Sequence, residues 1–176
     1  VALSWFEQGN GEPLVLIMGL GGSSRAWYRL LPLLGADVRA IAFDNRGTGR
    51  SDGVGMRLTL EDAVGDTLAV MDAAGLEDAH VLGVSMGGMI AQQLTLRHPE
   101  RVRGIAFMET IMRPMTWDDL PNARPRYEAL RSPGTGETKV LDENFFIEQA
   151  LKATVLNGLS ADDHAVYRAP YPTRES

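Results

Sequence analysis

The chain has 176 residues, 44% of them hydrophobic and 23% charged, an ordinary globular composition with enough apolar material for a core of useful size. Its net charge of −6 and scattered basic residues exclude the clustered positive surface that a nucleic-acid partner needs. With no cysteine, disulfides and thiolate metal sites are excluded, so a reducing, cytoplasmic location is expected, with no metal and no cofactor. The longest strongly apolar run, Leu14 to Leu20, is far too short to cross a bilayer, and nothing reads as a signal peptide, so no membrane partner is expected. Val1 in place of an initiator Met suggests a fragment or a processed chain.

Residues 1–110 alternate between short apolar runs and amphipathic stretches, the pattern of βα units around a parallel sheet. Leu3–Glu7 reads as an edge strand and Leu14–Met18 as a strand covered on both faces. A helix is expected over 24–34, with Trp27, Leu30, Leu31 and Leu34 on one side, then a strand over Val38–Phe43. Residues 60–74 form the clearest helix. Thr59 and Asp62 can cap its start, Leu60, Val64, Leu68 and Met71 recur at helical spacing, and Gly75 can close it. The strand His80–Val84, the helix 86–97 stopped by Pro99, and the strand Val102–Met108 complete this half. Beyond Glu109 the texture changes. Pro114, Pro121, Pro125 and Pro133 interrupt the chain, and helical pieces are expected over 117–130, 144–152 and 161–168, the last capped by Ser160 with Asp163. We divide the chain into an α/β core over 1–110 and a helical region over 111–176 that lies over the sheet as a cap.

The chemistry is carried by Gly83-Val84-Ser85-Met86-Gly87, a G-x-S-x-G pentapeptide between an apolar strand and a helix. That context makes Ser85 the candidate nucleophile. A sharp strand-to-helix turn lifts its hydroxyl above the carboxyl edge of the sheet, and glycine is required on both sides because a Cβ would meet the crossing backbone. As a bare pentapeptide the segment would be a mere turn between strand and helix, and the flanking elements decide against that reading. The loop Met18-Gly19-Leu20-Gly21-Gly22 follows the first strong strand, where the backbone N–H of Leu20, paired with that of Met86, would receive an oxyanion. It is not a dinucleotide fingerprint. Ser24 stands where the last glycine belongs, and Asp44 at the end of the next strand leads into a turn of its own.

These segments, together with Phe43-Asp44-Asn45-Arg46-Gly47-Thr48-Gly49-Arg50-Ser51-Asp52, resemble the α/β-hydrolase-fold enzymes over residues 14–110. The resemblance implies a mostly parallel sheet with flanking helices and a helical cap, and a structural role for Asp44, Arg46 and Ser51. The second part is narrower. Gly104–Glu109, Pro114–Asp118, Arg131-Ser132-Pro133, Phe146–Leu151 and Tyr167-Arg168 resemble the cap of haloalkane dehalogenases, a match over about 102–176. By that resemblance Glu109 is the catalytic acid that orients the base. The two resemblances conflict at the nucleophile, where dehalogenases carry an aspartate. Serine attack on an alkyl halide would leave an ether that this machinery cannot hydrolyse. Dehalogenases also hold the halide with a Trp after the nucleophile and an Asn in the oxyanion loop, where this chain has Met86 and Leu20.

The family order of nucleophile, acid, then histidine leaves the base unassigned. His80 opens the strand before the nucleophile and is expected to be packed or hydrogen-bonded, His98 ends a helix, and His164 follows Glu109 but lies in the cap region. The base is expected beyond Ser176, with further strands, so that the free sheet edge would favour self-association. The leading expectation is a carboxylesterase-like hydrolase of a small, fairly apolar ester, with Trp117, Phe145, Phe146 and Leu151 lining its pocket or forming the cap core. A dehalogenase-like hydrolase and a non-catalytic binding protein of the same fold are the alternatives.

Overall fold

Five strands form one sheet in the order β1-β3-β2-β4-β5 in the computed structural model of the chain, which describes residues 1–53 and 58–172. The strands are β1 (Trp5–Gln8), β2 (Glu12–Ile17), β3 (Val38–Phe43), β4 (Ala79–Val84) and β5 (Val102–Met108). β1 runs antiparallel to β3 at one edge, and the remaining pairs are parallel. The central strands carry the continuous apolar runs that burial on both faces demands, and Val15, Leu16, Ile17, Ile41 and Ala42 are fully inaccessible.

Two helices cover one face. In α1 (Leu60–Ala73) a capping box sets the start: Thr59 Oγ1 accepts from the Asp62 N–H, and the Asp62 carboxylate accepts from the Thr59 N–H at 3.0 Å. Burial pulls the Asp62 carboxyl upward only weakly against the Thr59 side-chain and backbone hydrogen bonds, which hold it below the usual carboxylate range. Gly75, at φ 69°, closes the helix in the left-handed conformation that glycine adopts without strain. α2 (Met86–Arg97) packs Ile90, Ala91 and Leu94 beside Val64, Val70 and Met71 of α1 and the strand residues Val15, Ile17, Ile41, Phe43 and Val81. On the other face Trp27 and Leu31 cover Leu16, Ala40 and Ala42. The helix expected over 24–34 is instead two 3₁₀ turns, Ser24–Arg29 and Leu31–Leu33. Pro32 has no N–H for an α-helical ladder, so the apolar side chains dock from tighter local turns.

The chain separates into two compact units, Val1–Met112 and Arg113–Ser176. In the second, the helix expected over 117–130 shrinks to α3 (Arg124–Leu130), because 117–123 forms successive turns. α4 (Thr135–Glu137) runs into a π-helical turn, Thr138–Asp142, and a second such turn, Phe146–Ala150, precedes α5 (Leu151–Thr154) where one helix was expected over 144–152. α6 (Ala161–Arg168) matches its expected span, with Ser160 accepting from the Asp163 N–H at 3.1 Å. The end of the expected cap region, residues 173–176, lies outside the described residues. Among those described, no helix is long and apolar enough to cross a membrane.

Removing the α1 cap with Thr59→Ala should lower unfolding free energy by about 1 kcal/mol at pH 7, measured by urea denaturation. Because the folded carboxyl of Asp62 titrates below its unfolded value of about 3.9, its contribution is complete above that pH and is lost as pH falls through the folded value. Asp62→Asn should therefore be less stable than wild type at pH 6 and converge on it toward pH 2.

Candidate active site

The sheet order dictates where a site can form. The connection from β2 leads to β3 on one side and the connection from β4 leads to β5 on the other, so the strand order reverses between the carboxyl ends of β2 and β4, where sites form in sheets of this kind. Ser85 follows β4 at that point and Met18–Gly22 follows β2.

Ser85 has φ 54° and ψ −119°, a sparsely populated conformation for a residue with a side chain, at a cost of about 1–3 kcal/mol. Its neighbours hold it there. A Cβ on Gly83 would stand 2.3 Å from the Gly87 carbonyl oxygen, and one on Gly87 would stand 2.1 Å from the Ile17 carbonyl oxygen. Only glycine lets the helix start and the strand end cross this closely, as the motif requires. The side chain of Ser85 is exposed and caps no helical N–H. Met86 opens α2, where first-turn N–H groups have no intrahelical acceptor.

The glycine loop abuts this bend. A Cβ at Gly19 would lie 2.9 Å from Ser85 Cβ and 3.4 Å from its Oγ. Gly21, at φ 71°, and the Gly22 N–H donating to the Gly19 carbonyl at 3.2 Å make the loop a tight turn, from which the Leu20 side chain projects, 71% exposed. The segment after β3 holds the loop at both ends. Asn45 Nδ2 donates to the Met18 carbonyl at 3.0 Å, and Asp44 Oδ1 accepts from the Ser24 N–H at 2.7 Å. The other Asp44 oxygen accepts from the Arg50 N–H at 3.0 Å, and the Ser51 hydroxyl donates to the Asp44 carbonyl at 2.6 Å. Arg46 grips Asp66 of α1 through Nε and a terminal nitrogen at 2.5 and 2.6 Å, and those hydrogen bonds raise its already high pKa. Asp44, Arg46 and Ser51 thus carry the turn, as expected from the sequence.

Glu109 sits immediately after β5, exposed, at φ 51°. Its two neighbours are fastened to Ser85: the Ser85 N–H donates to the Met108 carbonyl at 2.9 Å, and the Thr110 hydroxyl donates to the Ser85 carbonyl at 2.8 Å. Sequence reasoning missed Thr110. The only signal for it was the glycine that directly follows the motif, Gly88, where a Cβ would stand 2.6 Å from Thr110 Cβ.

Of the three histidines, only His80 departs from expectation. His80 lies near the start of β4, at the opposite end of the strand from Ser85, and is exposed rather than packed, because it points to the sheet face that the helices leave open. His98 ends α2 with Nδ1 3.6 Å from Glu100, about 18 Å from Ser85 at 1.5 Å rise per residue. In the second unit, His164 Nε2 lies 3.3 Å from Glu148, which also meets Arg168 at 2.9 Å and Lys152 at 3.3 Å. Burial pushes the Glu148 carboxyl up, but the Lys152 hydrogen bond and the charges of Arg168 and Lys152 help bring it below the usual range.

The other sequence candidates also lie in the second unit. Trp117 is 40% exposed, with its ring 5.1 Å from that of Tyr127. Phe146 is 55% exposed, whereas its neighbour Ile147 is buried, and Leu151 is half-buried at the start of α5. A cavity of about 370 Å³ in this unit is lined by Leu130, Arg131, Gly136, Val140 and Leu141, among others, and by none of Trp117, Phe146 and Leu151.

The crossing predicts a sharp contrast between two glycines. Gly87→Ala should cost about 3 kcal/mol or more, because its methyl meets backbone. Gly65→Ala, in α1 with nothing within 4 Å of the added methyl, should stabilise by about 1 kcal/mol. Thermal and urea unfolding of the two variants measure both.

Comparison with known proteins agrees with this fold. The chain is 38% identical over 99% of its length to a haloalkane dehalogenase of Mesorhizobium japonicum, covering 58% of that protein, and 34% identical over 99% to one of Bradyrhizobium diazoefficiens, covering 61%. The crystal structure of haloalkane dehalogenase DbeA from Bradyrhizobium elkani superposes with a TM-score of 0.87 at 34% identity, covering 98% of this chain and 61% of that one. The similarity to dehalogenases therefore runs through both halves of the chain and is not confined to 102–176. The chain spans about three-fifths of the length of these relatives. A family model for the alpha/beta hydrolase fold matches residues 12–144, and the chain belongs to that family.

Proposed function

We propose that this chain carries the nucleophile of a hydrolase that works by acyl transfer to Ser85. The observation that carries the proposal is the exposed hydroxyl on a strained, glycine-clamped bend beside the Gly19 loop. In this reading Ser85 Oγ attacks the carbonyl carbon of a small ester, the serine proton passes to a base, and the alcohol departs with a proton returned from it. Water then cleaves the acyl-serine. The N–H groups of Met86 and Leu20 receive the oxyanion. Glu109 orients the base, which its place between two residues fastened to Ser85 supports. Neither histidine of the first unit is near Ser85, so the base of this proposal comes from elsewhere in the whole protein.

Haloalkane hydrolysis is the second reading, and the named relatives favour it over ester cleavage. The residue at 85 weighs the other way. Halide displacement by a serine oxygen forms an alkyl ether, which has no carbonyl for water to attack, so the cycle would stop after one turnover.

A fluorophosphonate probe should label Ser85 slowly, added imidazole should speed the labelling by standing in for the base, and Ser85→Ala should abolish it, as read by peptide mass spectrometry. The same protein should release no halide from 1-bromobutane beyond one equivalent. Sustained halide release that survives Ser85→Ala would establish the second reading instead. No labelling with imidazole present would leave a non-catalytic binding protein.

A further inference from the structure

We infer that Thr110 is a positioning residue that aims the oxyanion-receiving N–H of Met86, an inference that rests on the reading of Ser85 as nucleophile. The peptide group between Ser85 and Met86 is planar and trans, so the Ser85 carbonyl and the Met86 N–H point from opposite edges of one rigid plate. Wherever the carbonyl is tied, the N–H is aimed. Two groups tie that carbonyl: the Gly88 N–H at 3.0 Å and the Thr110 hydroxyl at 2.8 Å.

The first of these ties belongs to the opening turn of α2 and is insufficient alone. Ser85, with ψ −119°, is outside helical geometry, so the helix does not by itself set the orientation of the plate. Thr110 supplies the second anchor from a different element, the segment after β5. Its side chain is wedged against the first helical turn. The Cβ, Oγ1 and Cγ2 of Thr110 lie 2.6, 2.7 and 2.9 Å from where a Gly88 Cβ would stand, so this space opens only because residue 88 is glycine. Donation to a carbonyl also polarises the amide and strengthens its N–H as a donor on the far edge. The same residue adjoins Glu109, so one side chain links the bend, the oxyanion donor and the candidate acid.

The test compares three Thr110 variants of the full chain with wild type in imidazole buffer, with fluorophosphonate labelling of Ser85 as the readout. Thr110→Val keeps the shape and removes the hydroxyl. It should lower kinact about tenfold with KI unchanged, less than the loss of a whole oxyanion donor. Thr110→Ser restores the hydroxyl and should recover the rate to within about twofold. The Met86 amide proton should shift in the heteronuclear NMR spectrum of Thr110→Val and return in Thr110→Ser, a readout that needs no reaction. If Thr110→Val fails to fold, Thr110→Ala replaces it. A wild-type labelling rate in Thr110→Val overturns the inference alone. A Thr110→Ser protein as slow as Thr110→Val overturns it too, because the methyl packing on Gly88 would then be what matters. Failure of wild type to label, with imidazole present, removes the nucleophile reading and this inference with it.

Discussion

The close crossing of the α2 N-terminus over the carboxyl end of β2 is the constraint on which the rest of the first unit depends. Gly87 approaches the Ile17 backbone within a distance that no Cβ would tolerate. That approach allows α2 to begin directly beyond β4 and forces Ser85 into its positive-φ conformation. Strain of this kind persists only where the surroundings over-determine it. Here hydrogen bonds to both the N–H and the carbonyl of Ser85, from residues flanking Glu109, do so.

A second layer holds the glycine loop in place. The polar turn after β3 spends its side chains on backbone: Asn45 on Met18, Asp44 on Ser24 and Arg50, Ser51 on Asp44. Arg46 ties that turn to α1 through Asp66. These buried or half-buried polar groups have partners in the protein, so the glycine loop beside Ser85 is held without a bulky side chain in its path. The scaffold and the proposed reacting group are therefore separable: the turn positions the loop without drawing on residue 85 or the amides around it.

That separation fits a chain that is similar to haloalkane dehalogenases along 99% of its length and carries serine at position 85. Fold similarity is carried by strands, helices and glycine contacts. In the proposed reading the reaction class turns on whether residue 85 offers a carboxylate, whose ester water can cleave, or an alcohol, whose ether it cannot.

The sequence by itself determined the sheet strands, α1 with its cap, α2 and the bend at Ser85, because each rests on local chemistry: apolar runs, a capping box, or glycines where a side chain would collide. α2 and β5 match their expected spans, and α1 differs by a residue at its end. Pro32, which has no N–H, is the local feature that turned 24–33 into 3₁₀ turns in place of the helix that the apolar spacing suggested. Tertiary structure alone decided two matters. The stretch between α3 and α6 broke into π and α turns, where no strong periodicity imposed a single helix. Thr110 reached the Ser85 carbonyl because parallel pairing of β4 with β5 brings together residues far apart in sequence, and no local pattern encodes that meeting.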